Sequence, residues 1–310
     1  MRILCAILAD MYYNPNIHSL EWATFWPACR KLGVARLFPY WREERNRGCQ
    51  GMNDYFLQVV GEFQPDVVFT VPWHDNWLPG TMESVPVPTV AWFSDSYRQD
   101  YIRQEAPHYS HCVAMDARAE AIIREAGKPV FRSMWACNPD MHRTYGERVI
   151  DVIWAGLNQK DREPYIREMV NAFRSLNAVV RSNTGFTEPL VDPTDYARLH
   201  GQAKIGISLS LNVRGEVQPK TRPFEIASCG AMLLASKPNT LEGYFVEGKE
   251  YVGFESINDM VEKVYYYLDH QEERRAIARA GQNRAHKEHT YEQRLREVFK
   301  WVLCGTSQSA

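Results

Sequence analysis

The chain has 310 residues, of which 45% are hydrophobic and 12% aromatic, and its formal net charge is −2 at pH 7. This length suits two domains with substantial cores, and the near-neutral charge excludes an overall basic surface of the kind that binds nucleic acid. No apolar run reaches membrane-spanning length, and the apolar start of the chain is better explained as a first β-strand because Asp10 interrupts it.

Strand-like and helix-like segments alternate over the first half of the chain. The predicted strands are RILCAILAD, ARLFPYW, DVVFTVP, TVAWFSD, HCVAMD and VFRSMWA, and the predicted helices cover residues 18–32, 53–63 and 117–126. Such alternation predicts a parallel sheet wrapped by helices. The polar, turn-rich segment NPDMHRTYGER follows, so we place a domain boundary there and assign residues 1–146 to an N-terminal domain.

The same plan restarts after the boundary and predicts a second domain over residues 147–288. Its predicted strands are DVIWAG, NAVVRSN, KIGISLSL, AMLLAS and YVGFE, and a last helix falls within residues 289–310. The predicted fold class is therefore α/β, with two doubly wound, Rossmann-like domains. Ligands of open parallel sheets bind outside the carboxyl ends of the strands, so we expect a site in a central cleft that the two domains face.

The segment KTRPFEIASCGAMLLAS, residues 220–236, predicts a basic loop, a short helix and a buried strand. Pro223 suits the first turn of a helix, and Gly230 suits the left-handed position after it. Lys220 and Arg222 bring two cations to the start of this helix, and Glu225 lies about one turn inside it. Cations for a diphosphate and a carboxylate for sugar hydroxyls indicate a nucleotide-sugar site. An ordinary β-α-β corner with surface charges explains the same residues equally well.

Seven cysteines are scattered along the chain without a C-x-x-C pair. Dispersed cysteines in odd number are typical of free thiols in a reducing compartment, which predicts a cytoplasmic protein. The sequence also lacks residues at metal-ligand spacing, so we expect no metal.

Several motifs of the second half occur in an order that resembles one enzyme family. RPFEIASCGAMLLAS is followed by LEGYFVEGKEYVGFESINDMVEKVYYYL and by EHTYEQRLREVF, and DVIWAGLNQKDR precedes them. This order resembles the C-terminal half of the group 1, family 4-like glycosyltransferases of the GT-B fold, in their spore-maturation-protein-like branch. AWFSDSYR and MWACNPDMHR resemble the N-terminal half of that branch more loosely.

The resemblance implies that the C-terminal domain holds a nucleoside-diphosphate sugar, with UDP or GDP as the nucleotide, and that the N-terminal domain holds the acceptor. It implies no tightly bound cofactor, no metal, retention of anomeric configuration, and a last helix, residues 291–303, that crosses back to the N-terminal domain. The acceptor stays open between a glycan, a protein, a lipid-linked glycan and a nucleobase.

Individual residues take roles from the same resemblance. Glu225 matches the glutamate that binds the ribose hydroxyls, and Asp95 and His74 are the candidates to orient the acceptor or a sugar hydroxyl. The implied donor-binding residues are Asn158, Arg162, Lys220, Thr221, Arg222 and Glu225.

The sequence departs from the family pattern at three places, one of which is the strand end that usually carries a histidine of the N-terminal domain, where Ser94 and Asp95 stand. Val217 replaces the first of two glutamates, and ADMYYNPN replaces the glycine-rich loop after the first strand. Two other functions therefore remain open. One is a GT-B-like catalyst of another kind, such as an epimerase or a phosphorylase, and the other is a non-catalytic protein that binds a nucleotide sugar.

Overall fold

The computed structural model describes residues 1–11, 14–73, 77–157, 162–183, 192–212 and 214–305. The chain forms two compact units. Met1–Met134 and the final helix make up the first unit, and Trp135–Thr290 make up the second.

Both units are built from parallel strands that alternate with helices, which confirms the predicted α/β class. The strands are β1 (Arg2–Ile7), β2 (Asp10–Met11), β3 (Asn14–His18), β4 (Val34–Pro39), β5 (Val67–Thr70), β6 (Thr89–Phe93), β7 (His111–Ala114), β8 (Val130–Arg132), β9 (Ile150–Leu157), β10 (Ala178–Asn183), β11 (Ala203–Ser208), β12 (Met232–Ser236) and β13 (Val252–Phe254). The helices are α1 (Leu20–Leu32), α2 (Tyr40–Phe63), α3 (Gln99–Glu105), α4 (Ala117–Glu125), α5 (Glu163–Ala172), α6 (Pro193–Gly201), α7 (Arg222–Ser228), α8 (Ile257–Asp269), α9 (Gln271–Glu288) and α10 (Tyr291–Cys304).

The first unit contains a parallel sheet in the order β4-β1-β5-β6-β7-β8. On one side, the Phe25 ring of α1 lies 4.7 Å from the Tyr291 ring of α10 and 5.2 Å from the Trp92 ring of β6. A second aromatic cluster joins β4 to α2, where the rings of Phe38 and Phe56 lie 5.2 Å apart. The last helix therefore packs inside the first unit.

The second unit contains a parallel sheet in the order β10-β9-β11-β12-β13. Its core is apolar and includes the fully buried side chains of Trp154, Met169 and Phe254. In the sheet of the first unit, β1 lies between β4 and β5, and in the sheet of the second unit, β9 lies between β10 and β11. The carboxyl edge beside β1, or beside β9, is the switch point where doubly wound folds bind ligands.

The second unit begins earlier than the predicted boundary at residue 146. The Cys137 N–H donates to the His289 carbonyl at 2.9 Å, and the Tyr145 N–H donates to the Gly201 carbonyl at 3.2 Å. These backbone hydrogen bonds attach the turn-rich segment to the second unit. Side-chain polarity gave no sign of them, because backbone groups of any residue type can make such bonds.

The start of α2 also differs from the prediction. The helix begins at Tyr40, whereas the sequence pattern placed its start near Asn53 and continued the preceding strand to Trp41. Gly48, with φ of 71°, interrupts the helical backbone and conceals the periodicity of the first turns. The segment that replaces the family's glycine-rich loop contains the antiparallel strands β2 and β3. There the buried Asp10 carboxylate forms ion pairs with Arg42 and Arg45.

All seven cysteines are free thiols, and the five at positions 5, 29, 112, 137 and 229 are buried. Within the described ranges, no helix combines the length and the apolar character that a membrane crossing requires.

Close packing between β11 and α7 fixes the helix that carries the predicted site. A Cβ atom added to Gly206 would lie 2.6 Å from Cγ2 of Ile226, whose side chain is fully buried. We expect Gly206→Ala to lower the free energy of unfolding by about 1–3 kcal/mol, because overpacking displaces neighbours in a tight core. Urea unfolding measures this, and a variant as stable as the wild type would show that α7 shifts without cost.

Candidate functional site

Most of the described residues in the predicted donor site gather at the carboxyl edge of the second sheet. β9 ends at Leu157, and Arg162 forms the N-cap of the next helix, α5. β11 ends at Ser208, and the loop after it leads through Lys220 and Thr221 into α7. This is the switch point between β9 and β11, so the fold alone brings two distant segments together.

The Arg222 guanidinium lies against the end of β9. A Cβ atom added to Gly156 would lie 2.7 Å from Nη2 of Arg222 and 3.2 Å from Cζ2 of Trp154. Only a glycine leaves this space for the guanidinium. Nε of Arg222 is buried and has no hydrogen-bond partner within the described part of the chain. The guanidinium therefore retains a donor for a further acceptor.

A second guanidinium lies beside the first. Arg162 is only 4% exposed, and its Nη2 donates to the Leu211 carbonyl at 2.6 Å. Burial, together with the smaller effect of the nearby positive charge of Arg222, lowers the pKa of Arg162 to about 10. Two adjacent cations, one of them deeply buried, repel each other and would be stabilised by an anion between them.

The predicted cation Lys220 lies in the loop before α7 and is half-buried. Its Nζ donates to Oε1 of Gln218 at 3.1 Å. The Gln218 N–H in turn donates to the Ser210 carbonyl at 3.1 Å, so the loop folds back onto the end of β11. Lys220 is therefore held on the same edge of the sheet as the two arginines.

The structure places the Glu225 carboxylate inside the unit, where 2% of the residue is exposed. The hydroxyls of Thr221 and Tyr196 hydrogen-bond to it. The Tyr196 hydroxyl also hydrogen-bonds to the Arg222 side chain, which links the carboxylate to the cation. The resemblance assigns Glu225 to ribose hydroxyls, whereas its carboxyl is buried and hydrogen-bonds to the Thr221 and Tyr196 side chains.

Two buried histidines complete this cluster. Nδ1 of His142 accepts from the Asn138 N–H at 3.1 Å, so the ring proton lies on Nε2, which is 3.7 Å from Oε1 of Glu225. Burial lowers the pKa of His142 to about 3 and that of His200 to about 4. Both rings are therefore neutral at pH 7. The sequence gave no sign of His142, His200 or Tyr196, because each is far from Glu225 along the chain.

The predicted catalytic residues belong to the first unit. Asp95 is half-buried in the loop after β6, and its carbonyl accepts from the Arg98 N–H at 2.9 Å. His74 lies outside the described residues, as does Asn158 of the donor set. No group of three or more His, Cys, Asp or Glu side chains suited to hold a metal occurs in the part of the chain that the structure describes.

A cavity of about 640 Å³ opens farther along the same sheet, where β12 ends. Its lining includes Lys237, Asn239, Glu247 and Tyr251, and the Lys237 ammonium lies 2.6 Å from the Glu247 carboxylate. None of the predicted donor residues lines it. The cavity therefore offers a second possible location for a ligand in this unit, one without a pair of adjacent arginines.

Residues 162–300 match the family model described as glycosyl transferase-like. This segment includes α7 and every described residue of the predicted donor set. The match covers somewhat less than half of the chain, and over that segment it agrees with the predicted glycosyltransferase. The comparison with curated proteins gave no match.

Solved structures with low sequence identity share the whole architecture. Sucrose-phosphate synthase from Thermosynechococcus elongatus is 10% identical, with a TM-score of 0.68, and the match covers 99% of this chain and 100% of that one. A glycosyltransferase from Rickettsia africae is 10% identical, with a TM-score of 0.65 and coverage of 98% and 99%. Anabaena HepE in complex with UDP-glucose is 11% identical, with a TM-score of 0.61 and coverage of 97% and 99%. The fold is GT-B, as predicted.

The buried carboxyl of Glu225 makes stability depend on pH. Burial raises its pKa from 4.5 to about 7, although Arg222 opposes the shift. Between these values the folded state retains a proton that the unfolded state has lost, so rising pH destabilises the fold. We expect the free energy of unfolding of the wild type, measured relative to that of Glu225→Gln, to fall by at most about 3 kcal/mol between pH 4.5 and 7. Above pH 7 this difference should change little.

Urea unfolding of both proteins at several pH values measures this difference. Glu163→Gln is a suitable control, because that carboxylate is 59% exposed on α5. A difference between the wild type and Glu225→Gln that stays constant from pH 4.5 to 7 would contradict the raised pKa.

Proposed function

We propose that this protein transfers a sugar from a nucleoside diphosphate to an acceptor hydroxyl, and that Arg162 and Arg222 bind the donor diphosphate. The observation that carries the proposal is a pair of guanidiniums at the switch point of the second sheet: Arg222 lies against the end of β9, and Arg162 is near enough for their positive charges to repel. Arginine presents a planar fork of hydrogen-bond donors that matches phosphate oxygens. A pair of arginines therefore suits a ligand with two phosphates better than a ligand with one negative charge.

The proposed chemistry requires stabilisation of the leaving group. When the bond between the anomeric carbon and the diphosphate breaks, negative charge develops on the phosphate that departs. Fixed cations aimed at that charge lower the barrier, and they cost no reorganisation during the reaction. Arg222 is fixed by the Tyr196 hydroxyl and by the narrow space beside Gly156, and Lys220 adds a third positive charge on the same edge.

Glu225 acts behind Arg222 in this proposal. Its carboxyl and the Tyr196 hydroxyl hold the guanidinium in place without touching the ligand. Contact with the ribose would require the carboxylate to become exposed, whereas the role through Arg222 requires no change in the described structure.

The finer features of the reaction follow the family resemblance. We propose retention of configuration without a metal, with the departing phosphate as acceptor of the hydroxyl proton and with Asp95 and His74 at the acceptor. UDP-glucose is the first donor to test, because HepE was solved in complex with it. The spore-maturation-protein-like branch and a cytoplasmic location belong to the same proposal.

A thermal-shift screen with UDP, GDP, dTDP, ADP and CDP tests the donor site. A ligand that binds only the folded state raises the unfolding temperature. We expect one base to give the largest shift and Arg222→Ala to abolish it. Arg167→Ala, at a side chain that is 69% exposed on α5, should leave the shift unchanged.

The reaction products separate the alternatives. Sugar transfer to an added acceptor supports the proposal. An epimerised sugar nucleotide would indicate an epimerase, and binding without turnover of any donor would indicate a binding protein. The absence of a shift with all five diphosphates would contradict the donor site itself.

A further inference from the structure

The first unit contains a buried carboxyl that the proposed donor chemistry does not use. Glu21 lies in the first turn of α1, two residues after the N-cap Ser19, and is only 5% exposed. Among the described residues, its carboxyl accepts from the Trp73 indole N–H at 2.9 Å and from its own backbone N–H, and it forms no ion pair with a cation. The first turn of a helix favours an acidic side chain, but burial without a countercharge is costly, so Glu21 is a candidate for a role beyond the helix start.

Glu21 holds one end of an aromatic side chain. Nε1 of Trp73 donates to Oε1 of Glu21 at 2.9 Å. The Trp73 backbone carbonyl accepts from Nη1 of Arg98 at 2.9 Å. The Trp73 side chain packs against the hydrophobic core that includes α2. Trp73 is nevertheless only half-buried. The indole is thus held by one hydrogen bond and the backbone behind it by another, while part of the residue remains accessible.

The position of this pair is the switch point of the first sheet. Trp73 lies three residues after the end of β5, and α1 follows β1, the strand beside β5 in the sheet. Asp95 follows the next strand, β6, and its charge contributes to the raised pKa of Glu21, for which burial is the main cause. The edge where a doubly wound unit binds its ligand therefore carries a tryptophan and carboxyl groups.

This chemistry selects a neutral sugar. A pyranose has an apolar C–H face, which stacks on an indole ring, and a rim of hydroxyls, which donate to carboxylates. A phosphate or a carboxylate at this edge would lie near the acidic side chains of Glu21 and Asp95 as well as the Arg98 guanidinium, so it would gain no net attraction there.

We propose that Trp73 forms the platform of a neutral sugar subsite in the first unit and that Glu21 is the residue that positions its ring. The description of this sugar as the acceptor rests on the proposed function, whereas the binding of the sugar itself does not.

Saturation-transfer NMR on the full chain, with and without UDP, tests the subsite with methyl glycosides of glucose, galactose and mannose and with glucose 6-phosphate. We expect at least one neutral glycoside to bind, and to bind more tightly than the phosphorylated sugar. Trp73→Ala should weaken this binding about tenfold or more, since loss of an aromatic contact is worth about one order of magnitude.

Variants of Glu21 separate positioning from folding. Glu21→Gln keeps an acceptor for the indole N–H and should bind the glycoside nearly as well as the wild type, whereas Glu21→Ala should approach the loss seen in Trp73→Ala. Trp73→Phe keeps a ring without the hydrogen bond to Glu21 and should give an intermediate loss. Trp26→Phe, at another half-buried tryptophan of the first unit, is the matched control.

The outcomes are distinguishable from those of the donor site. Failure of every neutral glycoside to bind the wild type, equal binding by Trp73→Ala, or a preference for the phosphorylated sugar would overturn the subsite. A normal thermal shift with a nucleoside diphosphate in the same samples would leave the donor site intact, and its absence would count against the donor site alone.

Discussion

Replacement of Arg222 with alanine is expected to reduce the rate of sugar transfer by about 10²–10³-fold, the usual loss when one donor to a developing charge is removed. The guanidinium is held by the Tyr196 hydroxyl and lies against Gly156, so its removal takes a fixed positive charge out of the proposed site. Steady-state kinetics with a nucleoside-diphosphate sugar measure the loss of transfer rate. Calorimetry with the diphosphate measures the loss of binding affinity.

Two further variants show whether a positive charge at position 222 is sufficient for the transfer activity. Arg222→Lys keeps the positive charge but loses the planar fork, and we expect it to recover only part of the activity. Arg167→Ala removes an exposed arginine from the same unit and should retain full activity. Transfer by Arg222→Ala within about threefold of the wild-type rate would contradict the proposed role, because that change is far below the loss of a direct contact.

Gly156→Ala should separate nucleotide binding from stability. The added Cβ would lie 2.7 Å from Nη2 of Arg222 and 3.2 Å from Cζ2 of Trp154, so the guanidinium must leave its hydrogen bond to Tyr196, while the core needs to give by only a few tenths of an ångström. We therefore expect an unfolding free energy within about 1 kcal/mol of the wild type, as for a mild packing change. Displacement of the guanidinium should weaken diphosphate binding by about tenfold, or 1.4 kcal/mol.

A double-mutant cycle identifies the cause of that loss. In the Arg222→Ala background, Gly156→Ala should have no further effect on binding, because the side chain it displaces is absent. Gly61→Ala is the matched control, since a Cβ there meets nothing within 4 Å. Additive losses in the double variant would show that Gly156 affects binding by another route.

The sequence predicted the sheets better than the helices. Buried strands such as β5 and β12 are short, continuous apolar runs, so their positions agreed with the structure within a few residues. The start of α2 and the whole of α3 were missed, because polar surface turns and Gly48 obscure the helical period. The compact units divide at Trp135, before the predicted domain boundary, because backbone hydrogen bonds, which leave no trace in residue type, attach the intervening segment to the second unit.

The candidate site was predictable only in part. Arg162 and Arg222 could be proposed because a cation in the loop after each strand is visible in the sequence. Their proximity depends on the order of the strands, and the space that Gly156 provides depends on atomic packing. The burial of Glu225 was not predictable either, since its partner Tyr196 lies on α6, which has no neighbouring motif.

A crystal structure of the full chain with the diphosphate that gives the largest thermal shift is the most direct test of the donor site. Arg162, before α5, and Arg222, at the start of α7, should donate to phosphate oxygens of the bound nucleotide. The carboxyl of Glu225 should remain buried. A diphosphate bound instead in the cavity at the end of β12, with both guanidiniums free of phosphate contacts, would contradict the proposed site.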